Sequence, residues 1–337
     1  MPYDGKLTAA DGKGKWWDGL DPQDLYSQNH VPGKTLVWDW DPSQGSSVPD
    51  AAYMEKYFKR VQQLWDDYQP DMIYFDDDVL PFHGVTDEIG LNLAAHFYNT
   101  SIQWHHGHNE AVMTDKHLND MEQRAQVYDI ERGRADGILP QPWETDTCIG
   151  SWHYDRAIFE QHRYKTAAMV IPMLADIVSK NGNLMLSVPL QRDGTPDSDE
   201  IKIVNDIGAW LKINGEAIYA TRPWKIYGEG PSTEIHETGR FGGQRDVQQQ
   251  PFTPQDIRFT QSKDGNILYA IVLAIPAEGN LTIKALASGS ANWPRKIGQV
   301  RLLGGRKLKF TRDSDGLHLK LPQKFPSQIA IALKIRA

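Results

Sequence analysis

An α/β sheet or barrel followed by a small antiparallel β-sandwich is the fold the sequence predicts. Three observations carry it. From about residue 48 to residue 230, apolar runs of strand length alternate with amphipathic helical stretches. Those runs are flanked by helices, the pattern of buried parallel strands. Beyond Pro231 the texture changes to short alternating segments separated by Asp-Gly and Gly-Gly turns.

Residues 1–48 are rich in Gly, Asp, Pro and Trp and read as long loops, with one short strand at TLVWDW. A helix follows. In SSVPDAAYMEKYFKRVQQLWDDY, Ser47 is a candidate cap and Pro49 and Asp50 fall in the first turn. Tyr53, Tyr57, Phe58, Val61 and Leu64 then recur at helical spacing. Gln69-Pro70 ends the helix, and MIYF reads as a strand. GLNLAAHFYNTSIQWH reads as a helix, EAVMT as a strand, and MEQRAQVYDIERG closes on a strand at VYDI. LPQPWETDTCIGSWHY, full of Pro and Gly, reads as a loop. YKTAAMVIPMLADIVSKNG is a helix stopped by Asn181-Gly182. NLMLSVPL is a strand, and DSDEIKIVNDIGAWLKINGEAIYA is a helix with an acidic first turn. DIRFTQSKDGNILYAIVLAIP, LTIKALA, KIGQVRLLG, KLKFTRDSDGLHLKLP and QIAIALKIRA supply the sandwich. The expected divisions are a (β/α) portion over 1–230, a linker over 231–250 and the sandwich over 251–337.

The 337 residues carry 36 basic and 44 acidic side chains, a formal charge of -8. That balance argues against a nucleic-acid partner, because phosphate binding wants a basic face. No run approaches the ~20 apolar residues of a membrane span. The opening MPYDGKLTAADGKGKWWDG lacks the apolar core of a signal peptide. Cys148 stands alone, so neither an intrachain disulfide nor a Cys-based zinc cluster is available. His105, His106 and His108 in WHHGHNE have no second ligand cluster in view and read as a polar turn. QRDGTPDSDE lacks the spacing of a calcium loop and reads as the lead into a helix. The N-L-T triplet at 280–282 is a glycosylation pattern that many chains carry by chance. No metal and no cofactor are expected. The 11 Trp and 13 Tyr suit sugar surfaces, although most read as core residues.

In parallel α/β architectures reactive groups gather at the carboxyl ends of strands. The three aspartates Asp76, Asp77 and Asp78 follow MIYF at such an end, and Glu131 follows VYDI. Glu144 lies between Trp143 and Trp152. Two carboxyl groups on different strand ends, near aromatic rings, are the equipment of glycoside hydrolysis: one attacks the anomeric carbon and the other handles the proton. On spacing alone, a solvated acidic loop fits as well.

Four stretches together resemble the bacterial α-L-fucosidases of glycoside hydrolase family 29. YQPDMIYFDDD resembles the family's Y-x-P-D-x-[IL]-W-F-D segment, and PWETDTCIGSWHY its P-W-[EQ]-T…SWGY loop. SKNGNLMLSVPLQRDGTPDSDE is similar to its N-G-N-[LY]-L-L-N…DG stretch, and IGAWLKINGEAIYATRPW to its G-x-W-[LM]-x-x-N-G-E-A-I-Y segment. All four occur in the family's order, over roughly residues 17–280. The resemblance implies a (β/α)8-like barrel, a C-terminal β-sandwich and a retaining exo-glycosidase acting on terminal α-L-fucosyl groups of a glycan. It implies Asp76 as nucleophile, with Asp77 where many members have Gly. Tyr74 takes the place of the motif's Trp and lines the sugar pocket. Glu131 matches the acid/base of several bacterial members and is the expected acid/base; Glu144 matches the carboxylate proposed for the animal-type branch and is the second choice. Lys116 falls where relatives carry a basic sugar-contacting residue, and Trp143 and Trp152 are offered as pocket walls. Retention implies carboxyl groups about 5–5.5 Å apart.

Members of the family usually carry a long segment before the part matching GKGKWWDGLDPQDLY. The expectation is therefore a barrel incomplete at its N-terminal side, with weak or absent turnover if the 337 residues act alone. A carbohydrate-binding fragment of such an enzyme is the alternative, and a hydrolase for another sugar a third reading. Family resemblance implies a periplasmic or secreted location.

Overall fold

The computed structural model describes residues 7–21, 51–76, 87–234, 252–277 and 279–337. The strand expected at TLVWDW, the cap Ser47, Pro49, Asp50, Asp77 and Asp78 lie outside the described residues, as does most of the expected linker. Two compact units divide the chain between Tyr128 and Asp129. Each is described by itself.

The first unit holds helix α1 (Ala51–Tyr68), strand β1 (Met72–Tyr74), helix α2 (Asp87–Trp104) and strand β2 (Val112–Lys116). Strand β3 (Val127–Asp129) contains the unit boundary. β1 and β2 pair in parallel, Met72 opposite Val112. Trp65 of α1 stacks on Phe97 of α2, ring centres 4.4 Å apart. With Leu93 and Met113 they form a core onto which Ile73 and Phe75 pack. Burial of a side chain such as Phe97 stabilises by about 3 kcal/mol. Alternation then decides the other face: Ile73 and Phe75 point to the helices, so Tyr74 and Asp76 point away from them. Met113 does the same for β2, leaving Thr114 and Lys116 on the face that Tyr74 and Asp76 share.

The second unit opens with strand β4 (Trp143–Cys148), short helix α3 (Arg156–Glu160), helix α4 (Ala167–Ser179), strand β5 (Gly182–Ser187) and helix α5 (Ser198–Asn214). β4 and β5 run parallel, Trp143 opposite Gly182. β4 corrects the loop expected at LPQPWETDTCIGSWHY. Between Trp143 and Cys148 its residues are Thr and carboxylates instead of an apolar run, yet all six are buried. The sheet meets part of their polar needs: Thr145 Oγ1 donates to Ile130 O at 2.9 Å, and Asp146 N–H donates to Asp129 Oδ1 at 3.2 Å, whereas Thr147 Oγ1 is buried with no hydrogen-bond partner among the described residues.

Helix α4 stops where expected, with Asn181 in the left-handed region at φ 75°. At α5, Asp197 accepts from the Asp199 and Glu200 N–H groups while Glu200 accepts from Asp197 N–H, a capping box. QRDGTPDSDE is a turn closed by Gln191 N–H to Thr195 O at 2.9 Å. Among the described residues no helix is long and apolar enough to cross a membrane.

Among the described residues eight antiparallel strands follow: β6 (Thr221–Glu229), β7 (Ile257–Ser262), β8 (Ile267–Val272), β9 (Asn280–Ile283), β10 (Gln299–Leu302), β11 (Phe310–Arg312), β12 (Leu317–Lys320) and β13 (Ile331–Arg336). They form sheets ordered β10-β13-β8-β7-β6 and β11-β12-β9, which enclose Ile257, Phe259, Leu268, Leu317 and Leu333. β8 is apolar on both faces because it serves two cores. Leu268, Ala270 and Val272 face the second sheet, while Tyr269 and Ile271 pack on Ile171 and Ala175 of α4 and Trp210 of α5. β6 joins this sheet from ahead of Pro231, where Pro223 and an irregular register before Gly228 obscure its alternation.

Candidate active site

Asp76 follows the last β1–β2 bond among the described residues, which Phe75 N–H makes to Thr114 O at 3.0 Å. The carboxylate therefore stands at the carboxyl end of β1. Lys116, the last residue of β2, reaches it: Nζ donates to Asp76 Oδ1 at 2.8 Å. The lysine side chain is 3% exposed and the aspartate 73% exposed. The same ammonium lies 5.8 Å from the centre of the Tyr74 ring, within cation–π range. Tyr74, Asp76 and Lys116 are thus brought together on the face turned away from α1 and α2. Lys116 contacts the proposed nucleophile itself, a relationship that spacing did not reveal.

In the second unit, strand parity sorts the remaining candidates. Trp143 is 1% exposed and belongs to the helix-facing layer: a Cβ on Gly182 would come within 2.5 Å of its ring and 2.8 Å of Ile177. Its Nε1–H donates to Lys180 O at 3.0 Å. Glu144 and Asp146 consequently occupy the opposite face of β4, Glu144 opposite Asn183 of β5 in the register. The far end of β4 is fixed by Lys165, whose buried Nζ donates to Cys148 O at 2.8 Å.

Glu131 lies in the turn after β3, half-buried. Its neighbour Arg132 has φ 44°, an uncommon conformation for a residue with a side chain. The Arg132 N–H donates to Asp146 O at 2.9 Å, and its guanidinium lies 5.8 Å from the centre of the Trp152 ring. Trp152 is 39% exposed and presents an aromatic face beside a charged group. Sequence reasoning did not single out Arg132 or Asp146. The alternation in WETDTC was the available signal for Asp146, and the turn-forming Gly133 was the signal for the bend at Arg132.

The histidine turn is outlying. His105 Nδ1 is 2.9 Å from Ser101 O, and among the described residues no group of three or more His, Cys, Asp or Glu is arranged to hold a metal.

Comparison with known proteins gives consistent matches. The family model described as Alpha-L-fucosidase matches residues 22–216, and that described as Alpha-L-fucosidase C-terminal domain matches residues 249–336. The plasma alpha-L-fucosidase of Pongo abelii is 27% identical over 286 residues, covering 80% of this chain and 52% of that protein. The human tissue alpha-L-fucosidase is 28% identical over 282 residues, with the same coverage of 80% and 52%. Among solved structures, one described as an alpha-L-fucosidase superposes with TM-score 0.67 at 24% identity, over 94% of this chain and 62% of that one. The Thermotoga maritima alpha-fucosidase in complex with a mechanism-based inhibitor gives 0.66 at 24% identity, over 91% and 61%. These superpositions establish the shared fold of barrel and C-terminal domain. The chain spans about half the length of the curated relatives it matches.

Proposed function

From the α-L-fucosidase family, to which this chain belongs, we propose that the protein hydrolyses terminal α-L-fucosyl residues of oligosaccharides or glycoconjugates with retention of configuration. One observation carries the reading. The carboxylate matching the family nucleophile, Asp76, stands at a strand's carboxyl end against a buried ammonium, Lys116, on the face away from the helices.

In the first step an Asp76 oxygen bonds to the anomeric carbon as the bond to the aglycone oxygen breaks, and that oxygen takes a proton from a second carboxyl group. In the second step water attacks the same carbon, the glycosyl ester breaks, and the water proton goes to the second carboxylate. Such a double displacement requires no metal.

Glu131 and Glu144 are the two sources for the second carboxyl group. Glu131 follows β3 at its carboxyl end, as Asp76 follows β1, whereas Glu144 is the second residue of β4 and lies at its amino end, so position along the strands favours Glu131. Tyr74, beside Lys116, is a pocket wall in this reading, and Trp152 is an aromatic surface beside Arg132 suited to a sugar face. The burial of Trp143 in the helix-facing layer speaks against that role for it.

Replacing Asp76 with Gly tests the assignment. The variant should lose hydrolysis of an aryl α-L-fucoside and regain turnover with azide, releasing a fucosyl azide. Full activity in the variant overturns it. Fucose binding by a folded protein that gives no turnover favours the carbohydrate-binding alternative.

A further inference from the structure

The bond between Lys116 and Asp76 goes to one carboxylate oxygen, Oδ1. If Asp76 is the nucleophile, as the proposed function holds, Oδ1 is then the oxygen that stays a carbonyl while the other forms the bond to the sugar. A cation on that carbonyl has opposite effects on the two steps. Before attack it stabilises the free carboxylate and makes it a weaker nucleophile. In the glycosyl ester it draws charge toward Oδ1, and as the ester breaks it receives the negative charge returning to the carboxylate.

We propose that Lys116 is a catalytic residue of the second step: its ammonium stabilises Asp76 as the departing carboxylate, and it is not chiefly a sugar contact. The bookkeeping of the step is closed. Water forms the new bond to the anomeric carbon, the electron pair of the broken bond returns to Asp76, the water proton passes to the acid/base carboxylate, and Lys116 remains protonated throughout.

Two features of the site fit this role. Lys116 is buried at the end of β2 while its partner is largely exposed, so the charge held in a fixed position is the lysine's. A fixed charge aimed at a group whose own charge changes needs no rearrangement during reaction. Tyr74, 5.8 Å from Nζ, adds a second partner that holds the ammonium when the carboxylate is esterified.

The test is Lys116→Met, with Lys116→Arg and Lys116→Gln beside it. Methionine matches the stem and removes a buried charge, and the exposed Asp76 left behind stays solvated, so the fold should persist. With an aryl fucoside of good leaving ability, kcat should fall by roughly 10²-fold, the scale of losing one preorganised partner of a developing oxyanion. KM should fall with it, because the ester accumulates. A burst of about one equivalent of phenol per active site should precede the slow phase, as expected when the covalent intermediate accumulates. Gln should behave like Met, and Arg should restore most of kcat and abolish the burst. A variant in which kcat and kcat/KM fall together without a burst, or in which neither changes, overturns the proposal. If a covalent trap labels a carboxylate other than Asp76 in the parent protein, the nucleophile assignment fails instead, and an inactive parent removes both.

Discussion

Asp176 of α4 and Arg258 of β7 form a buried ion pair of 2.5 Å, their side chains 4% and 2% exposed. Lys180 shares the carboxylate, Nζ to Oδ2 at 2.9 Å, and the Arg258 guanidinium also donates to Ser232 Oγ at 2.8 Å. Both cations lie over the Tyr227 ring, at 4.7 Å for Lys180 and 5.5 Å for Arg258. The cluster ties the helix that backs β4 to the antiparallel sheet. It also reaches the candidate site, because the Lys180 carbonyl receives the Trp143 Nε1–H and Trp143 precedes Glu144.

Two buried cations depend on one carboxylate, so removing it is costly. Asp176→Asn should destabilise the protein by about 3–5 kcal/mol, the range for breaking a buried pair from one side. The fall should appear as a lower urea midpoint.

The same pair sets an acid limit. Burial pushes the Asp176 carboxyl up, but the charges of Arg258 and Lys180 and their hydrogen bonds outweigh it and hold the group at about 2, against 3.8 in an unconstrained chain. A carboxyl with a depressed folded value contributes stability above the unfolded value and loses it as pH falls through the folded one. About 2 kcal/mol should therefore disappear between about pH 4 and pH 2. Unfolding across that window should show a steeper loss of stability in the parent than in Asp176→Asn, the remaining slope belonging to other carboxyls with depressed values such as Asp264.

Close packing behind β4 supplies a third test. Gly182 faces the Trp143 ring so closely that an added Cβ would lie 2.5 Å from it. Gly182→Ala should cost about 1–3 kcal/mol by overpacking, and Trp143→Ala about 3–5 kcal/mol by leaving a cavity. Thermal denaturation checks both. Equal Tm values for Gly182→Ala and the parent would contradict the packing described here.

Elements held by local signals were legible. The helix Ser198–Asn214 shows its apolar spacing and its Asp197–Glu200 cap within a few residues, and Asn181-Gly182 marks the end of α4. β4 was not legible, because between Trp143 and Cys148 it holds Glu, Thr and Asp and so lacks the apolar run of a buried parallel strand. β6 was obscured by Pro223 and a register irregularity. Contacts distant along the chain left no trace at all. Asp176 and Arg258 are 82 residues apart, and Lys116 and Asp76 are 40 apart. For the site, resemblance named Asp76 and Lys116, but only coordinates joined them, and only strand parity placed Trp143 and Glu144 on opposite faces.

The placement of the two glutamates along their strands yields a comparison of two variants. Glu131→Gln should slow hydrolysis of a fucosyl disaccharide by roughly 10²–10⁴-fold, while an activated aryl fucoside, whose leaving group needs no proton, suffers far less in its first step. Glu144→Gln should lose less than about tenfold on the disaccharide. The reverse ordering moves the acid/base role to Glu144.

The nucleophile itself is tested most directly by trapping. After incubation with a 2-deoxy-2-fluoro-α-L-fucosyl fluoride, the protein should gain one fluorofucosyl group, and peptide mass spectrometry should place it on Asp76. A label on another carboxylate, or an active protein that takes up none, would contradict the assignment of Asp76.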